Sequence, residues 1–79
     1  MTTQHREEIA AEMRAAAARA DMSLTEISER SGLSRATLSK TLNAQRPVQV
    51  EELIAFAAAT GAKVSDLIPK PAEVAGSAA

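Results

Sequence analysis

Between residues 22 and 43 two helix-start signals follow one another with a single glycine between them, and no other feature restricts the fold so tightly. Ser23, Leu24, Thr25 and Glu26 form a capping box: the Ser23 hydroxyl accepts from the Glu26 amide, and the Glu26 carboxylate reaches back to the Ser23 amide. A helix therefore starts at Leu24. Met22 and Ile27 stand at the positions of a hydrophobic staple, which fixes the angle at which the chain enters. Gly32 closes this helix after about two turns, because the residue past a helix end commonly takes positive φ and glycine does so without steric cost. The pattern restarts at once: Ser34 caps, Leu33 and Leu38 staple, and another helix runs from Arg35 to about Asn43.

The rest of the chain is equally helical in character. Ala accounts for 18 of 79 residues, Phe56 is the sole aromatic, and the β-branched and aromatic runs that strands require are missing. A first helix is expected from about Gln4 to Ala20, with Glu7 and Glu8 in its first turn and an inward stripe of Ile9, Met13, Ala16, Ala17 and Ala20. After the loop Arg46-Pro47-Val48, a fourth helix carries Val50, Leu53, Ile54, Ala57 and Ala58 on one face and stops at Thr60 before Gly61. A one-turn fifth helix spans Val64 to Ile68, ended by Pro69. The spacing predicts one all-α domain over 1–69 and a mobile tail over 70–79. Ala78 and Ala79 at its end resemble the last residues of a bacterial degradation tag, but in so alanine-rich a chain that ending carries no assignment.

A chain this short buries a modest fraction of its surface and usually needs a disulfide, a metal or a partner for margin. Without cysteine and with only His5, no disulfide, metal or other cofactor is expected, which leaves tight helix packing, a partner, or both. No signal-like apolar run opens the chain and no stretch is long enough to span a bilayer, so it reads as cytoplasmic.

The formal net charge of −1 argues against a polyanionic partner until the charges are placed. Between Glu29 and Glu51 there is no acid, yet Arg30, Arg35, Lys40 and Arg46 all fall there. One region of a nearly neutral protein is thus reserved for an anion.

Two short helices joined by a tight glycine turn form a helix-turn-helix unit, whose second helix fits the major groove of DNA. Burial of Leu33 and Leu38 turns Arg35, Ala36, Ser39 and Lys40 outward on the turns that a groove-bound helix presents to base edges. Arg35 suits guanine, through O6 and N7, and Ala36 suits a thymine methyl. Ser34, Thr37, Asn43 and Arg46, with the backbone amide of Leu24, are candidates for phosphate.

The run Ile27-Ser28-Glu29-Arg30-Ser31-Gly32-Leu33-Ser34-Arg35-Ala36-Thr37-Leu38 resembles the Cro and phage-repressor (XRE-like) type of helix-turn-helix protein. Leu53, Ile54, Ala57, Gly61, Val64, Leu67 and Ile68 extend the resemblance, which covers about Ile9 to Ile68. It implies a five-helix lambda-repressor-like domain, base-reading residues at the positions just named, and a small transcriptional regulator that works by operator occupancy. A homodimer on DNA is expected, with Val64, Leu67 and Ile68 at its contact. No room is expected for a ligand domain or a self-cleaving C-terminal domain, so a small Cro-like or truncated repressor-like regulator is expected in preference to an inducible one.

The chain departs from that pattern in places. Leu24 replaces a phosphate-binding Gln, and Ala17 with Leu42 replaces an Arg–Glu pair; losing both partners together strands no charge. Ser28 stands where Ala is usual, its hydroxyl expected to bond back to the Leu24 carbonyl. Thr41 replaces a larger apolar residue, and Asn43, followed by Ala44 where Gly is usual, is expected to take positive φ.

Catalysis is not expected. His5 lies in a terminus, and Glu7 with Glu8 and Glu51 with Glu52 are neighbours that point apart on a helix. Stacking on single strands needs aromatic platforms, and Phe56 lies on a helix with a core stripe, where burial awaits it. The competing reading is a helix-turn-helix antitoxin or adaptor whose main partner is another protein, a subgroup with which Leu38 to Leu42 is compatible.

Overall fold

The computed structural model describes residues 3–68, with side chains from His5 onward. The expected tail, including Ala78 and Ala79, and the helix-ending Pro69 lie outside the described residues. Five helices appear in chain order: α1 (Thr3–Arg19), α2 (Leu24–Ser31), α3 (Arg35–Leu42), α4 (Val50–Thr60) and α5 (Val64–Leu67), with no strand among the described residues. None of these helices is long and apolar enough to cross a membrane.

Each helix contributes one of the five largest fully buried side chains: Met13 from α1, Ile27 from α2, Leu38 from α3, Phe56 from α4 and Leu67 from α5. Burying a side chain of this kind contributes about 1.5–3 kcal/mol, so every helix, including the four-residue α5, is held by its own anchor. Ile9, Ala10 and Ala16 complete the buried stripe of α1, with Ala17 half-buried beside it. Small residues on that stripe let α1 pack against α3, α4 and α5.

Two expectations about these helices are corrected. Helix α1 begins at Thr3, so Glu7 and Glu8 fall beyond its first turn, which holds no acid. On α4 the inward face is Leu53, Phe56, Ala57 and Ala59, while Val50, Ile54 and Ala58 are exposed. Phe56 is the largest apolar side chain of the helix; taking it to the centre rotates α4 about its axis and turns Val50 and Ile54 to solvent.

The C-terminal ends of α1 and α3 share a geometry. Met22 N–H donates to Ala17 O and Asp21 N–H to Ala18 O after α1; Gln45 N–H donates to Lys40 O and Ala44 N–H to Thr41 O after α3. Both are Schellman closures, which place one residue in the left-handed region. Those residues are Asp21 (φ 54°) and Ala44 (φ 58°). Ala44, and not Asn43 as expected, therefore takes positive φ: α3 ends at Leu42, Asn43 caps it at φ −98°, and the left-handed step falls one residue later.

Candidate nucleic-acid interface

The turn between α2 and α3 is built from local hydrogen bonds. Both halves of the expected capping box at Ser23 and Glu26 are present. Gly32 closes α2 at φ 80°, its N–H donating to Ser28 O. The Ser28 hydroxyl donates to Leu33 O, across the turn, and not to the Leu24 carbonyl as expected. The turn brings the Leu33 carbonyl, which no helix employs, to the half-buried hydroxyl, whereas the Leu24 carbonyl already lies within the ladder of α2. Leu33 N–H is in turn bound by the Ser31 hydroxyl.

Ser34 then starts α3 in extended geometry, accepting from Thr37 N–H at 3.1 Å and donating to the Thr37 hydroxyl at 2.9 Å. Leu38 and Thr41 are the buried residues of α3. With about 100° of rotation per residue, the opposite arc holds Arg35, Ala36, Ser39 and Lys40. Arg35, Ala36 and Lys40 are exposed and Ser39 is half-buried, so the four expected base-reading residues share one outward face. Ser34 and Thr37 sit where helix-terminal amides attract an anion, Asn43 is exposed at the other end of α3, and the Leu24 amide is the first of α2.

Arg46 is placed differently from its neighbours. Its Nη1 donates to the Thr41 hydroxyl at 2.9 Å and to Glu52 Oε1 at 2.9 Å, and the same Glu52 oxygen accepts from Gln49 N–H at 3.0 Å. Thr41, 4% exposed, also donates to Thr37 O, so its hydroxyl is satisfied in both directions. Burial pushes the Glu52 carboxyl upward, but the Gln49 amide and the Arg46 guanidinium outweigh it and hold it below its ordinary value of 4.5. The acid-free stretch between Glu29 and Glu51 is therefore supplied with a counter-ion from just outside, and one of its four cations is engaged within the protein.

A second link was also absent from the sequence reading: the Arg14 guanidinium donates to the Leu42 carbonyl, capping α3 from α1. Ala17 and Leu42 both pack against the core, as an apolar substitute for an ion pair requires. Glu52 lies six residues from Arg46 across a loop, and the available signal was Thr41, a hydroxyl at a position that needs burial and hence needs partners. At the expected dimer contact, Leu67 is 0% exposed and spent within the protomer, a correction imposed by the need of α5 for an anchor. Val64 is half-buried against the core and Ile68 is exposed.

No curated protein and no solved structure gives a significant match to the chain. The sequence model of the helix-turn-helix domain matches residues 8–67, well over half of its length, and takes in α2, the glycine turn and α3. The chain thus belongs to the helix-turn-helix domain family, an all-helical DNA-binding fold.

Proposed function

We propose that this protein is a sequence-specific transcriptional regulator of the Cro or phage-repressor type, which occupies duplex operators by laying α3 in the major groove. The observation that supports this reading is the division of α3: Leu38 and Thr41 fix it to the domain, while Arg35, Ala36 and Lys40 stand exposed on the opposite face. It acts by binding and not by catalysis. Its unit on DNA is a homodimer across an inverted repeat with half-site centres about 34 Å apart, Ile68 and the outer edge of Val64 contributing to the contact.

The antitoxin or adaptor reading also has an observation in its favour. Val50 is 71% and Ile54 52% exposed, one helical turn apart on α4, and neighbouring exposed apolar side chains suit a protein partner. Selecting bound duplexes from a random pool decides between them. The regulator enriches an inverted repeat, and Arg35→Ala then loses about 1–3 kcal/mol on that site with relaxed preference at one base pair. Equal losses on selected and random DNA would remove Arg35 from the reading role, and a pool without enrichment favours the protein partner.

A further inference from the structure

We infer that Glu52 tunes the sequence-independent part of DNA affinity: by holding Arg46 against Thr41, it withholds that cation from the DNA backbone. The inference rests on the DNA-binding reading above. Sequence-independent affinity for duplex comes from cations that neutralise phosphates and release condensed counter-ions. Within the acid-free stretch Arg30, Arg35 and Lys40 are exposed, but Arg46 is not equivalent to them. Both hydrogens of its Nη1 are committed, one to the Thr41 hydroxyl and one to the Glu52 carboxylate, each at 2.9 Å. The pair is partly shielded, with side chains 28% and 17% exposed, and Gln49 N–H fixes the carboxylate oxygen from the backbone.

A phosphate approaching Arg46 would meet a guanidinium whose charge is already balanced, and with it the Glu52 carboxylate. Contact there releases little counter-ion unless the ion pair opens. The loop between α3 and α4 thus has a cation that braces the recognition helix and adds little to indiscriminate binding. Removing only the Glu52 charge frees the cation without removing its hydrogen-bond acceptors.

The test measures the salt dependence of binding to a random-sequence duplex for the intact chain, Glu52→Gln, Arg46→Gln and the double variant. The glutamine oxygen still accepts from Arg46 and from the Gln49 amide. Glu52→Gln should steepen the plot of log affinity against log salt by about 0.9, the contribution of one neutralised phosphate, and should raise the affinity for selected and random duplex alike. In that background Arg46→Gln should remove the added slope; with Glu52 present it should move the slope by less than half as much. An equal effect of Arg46→Gln in both backgrounds would overturn the inference.

A second measurement needs no substitution and covers the case in which Glu52→Gln does not fold. In the NMR spectrum of the intact chain, random duplex should shift the guanidinium resonance of Arg35 and leave that of Arg46 in place, and matching shifts for both would refute it. Absence of duplex binding by every variant removes the DNA reading itself, whereas binding with equal Arg46 effects removes only the role of Glu52.

Discussion

Helix α3 is held at its two ends by unlike devices. The turn before it uses neutral groups close in sequence: Gly32 in the left-handed region, the Ser28 hydroxyl on the Leu33 carbonyl, and Ser34 on the Thr37 amide. The connection after it uses a left-handed alanine and a charged bridge from Thr41 through Arg46 to Glu52, which reaches into α4. The first device leaves the cations of α3 outward, and the second engages Arg46 of the following loop. A helix can therefore be aimed by uncharged local bonds at its N-terminal end, with ionic bracing kept to the other.

Both devices depend on α3 staying seated, and the largest effect should come from its anchor. Leu38 is 1% exposed, and Leu38→Ala should destabilise the domain by about 2–5 kcal/mol through lost burial and a residual cavity. That is a large share of the margin of a small domain. Chemical denaturation followed at probes in each connection should show both failing in one transition. Two separate transitions would mean that the ends of α3 are independent.

The two left-handed residues offer a sharper contrast. A Cβ at Gly32 would meet nothing within 4 Å, so Gly32→Ala isolates the cost of positive φ, about 1–2 kcal/mol. Ala44 already bears that cost at φ 58°, and Ala44→Gly should stabilise the protein by about 0.5–1 kcal/mol once the greater freedom of unfolded glycine is subtracted. Thermal melts of the two variants should move in opposite directions; a loss of stability for Ala44→Gly would show that its methyl group contributes contacts that outweigh the strain.

The contrast also explains what could be read from residues alone. Ser23, Glu26, Gly32 and Ser34 act within four residues of themselves, so the spacing of the sequence is the geometry of the turn, and the bounds of α2 were legible from it. The outward face of α3 was legible because Leu38 fixes its inward one. The partners of Arg46 were not, since Thr41 and Glu52 meet it only after Ala44 reverses the chain. Ala44 itself was misread because the left-handed step of a Schellman closure is set by the last helical residue, and propensity alone favoured Asn43. Rotation of α4 was hidden for a different reason: apolar spacing offered two overlapping faces, and only the space available to Phe56 chooses between them.

The smallest expected effect separates the two ends by pH. Glu52 titrates below its ordinary value of 4.5 in the folded protein, because the Gln49 amide and Arg46 outweigh the opposing effect of burial. A carboxyl whose folded value is depressed contributes stability that is complete above the unfolded value and is lost as pH falls through the folded one. The ion pair should therefore contribute under about 1 kcal/mol at neutral pH, and that contribution should fade as pH drops below 4.5. A protonated Glu52 is nearly isosteric with glutamine. The stability gap between the intact chain and Glu52→Gln, measured by urea unfolding at a series of pH values, should consequently be greatest near neutrality and close in acid. Ser28→Ala provides the control at the other end of α3: it removes the bond to the Leu33 carbonyl and should cost about 1 kcal/mol, but a serine hydroxyl does not titrate, so its gap should stay constant over the same range. If the Glu52→Gln gap were equally flat, the bridge would act through its hydrogen bonds alone, and the division of α3 into a neutral and an ionic end would lose its energetic basis.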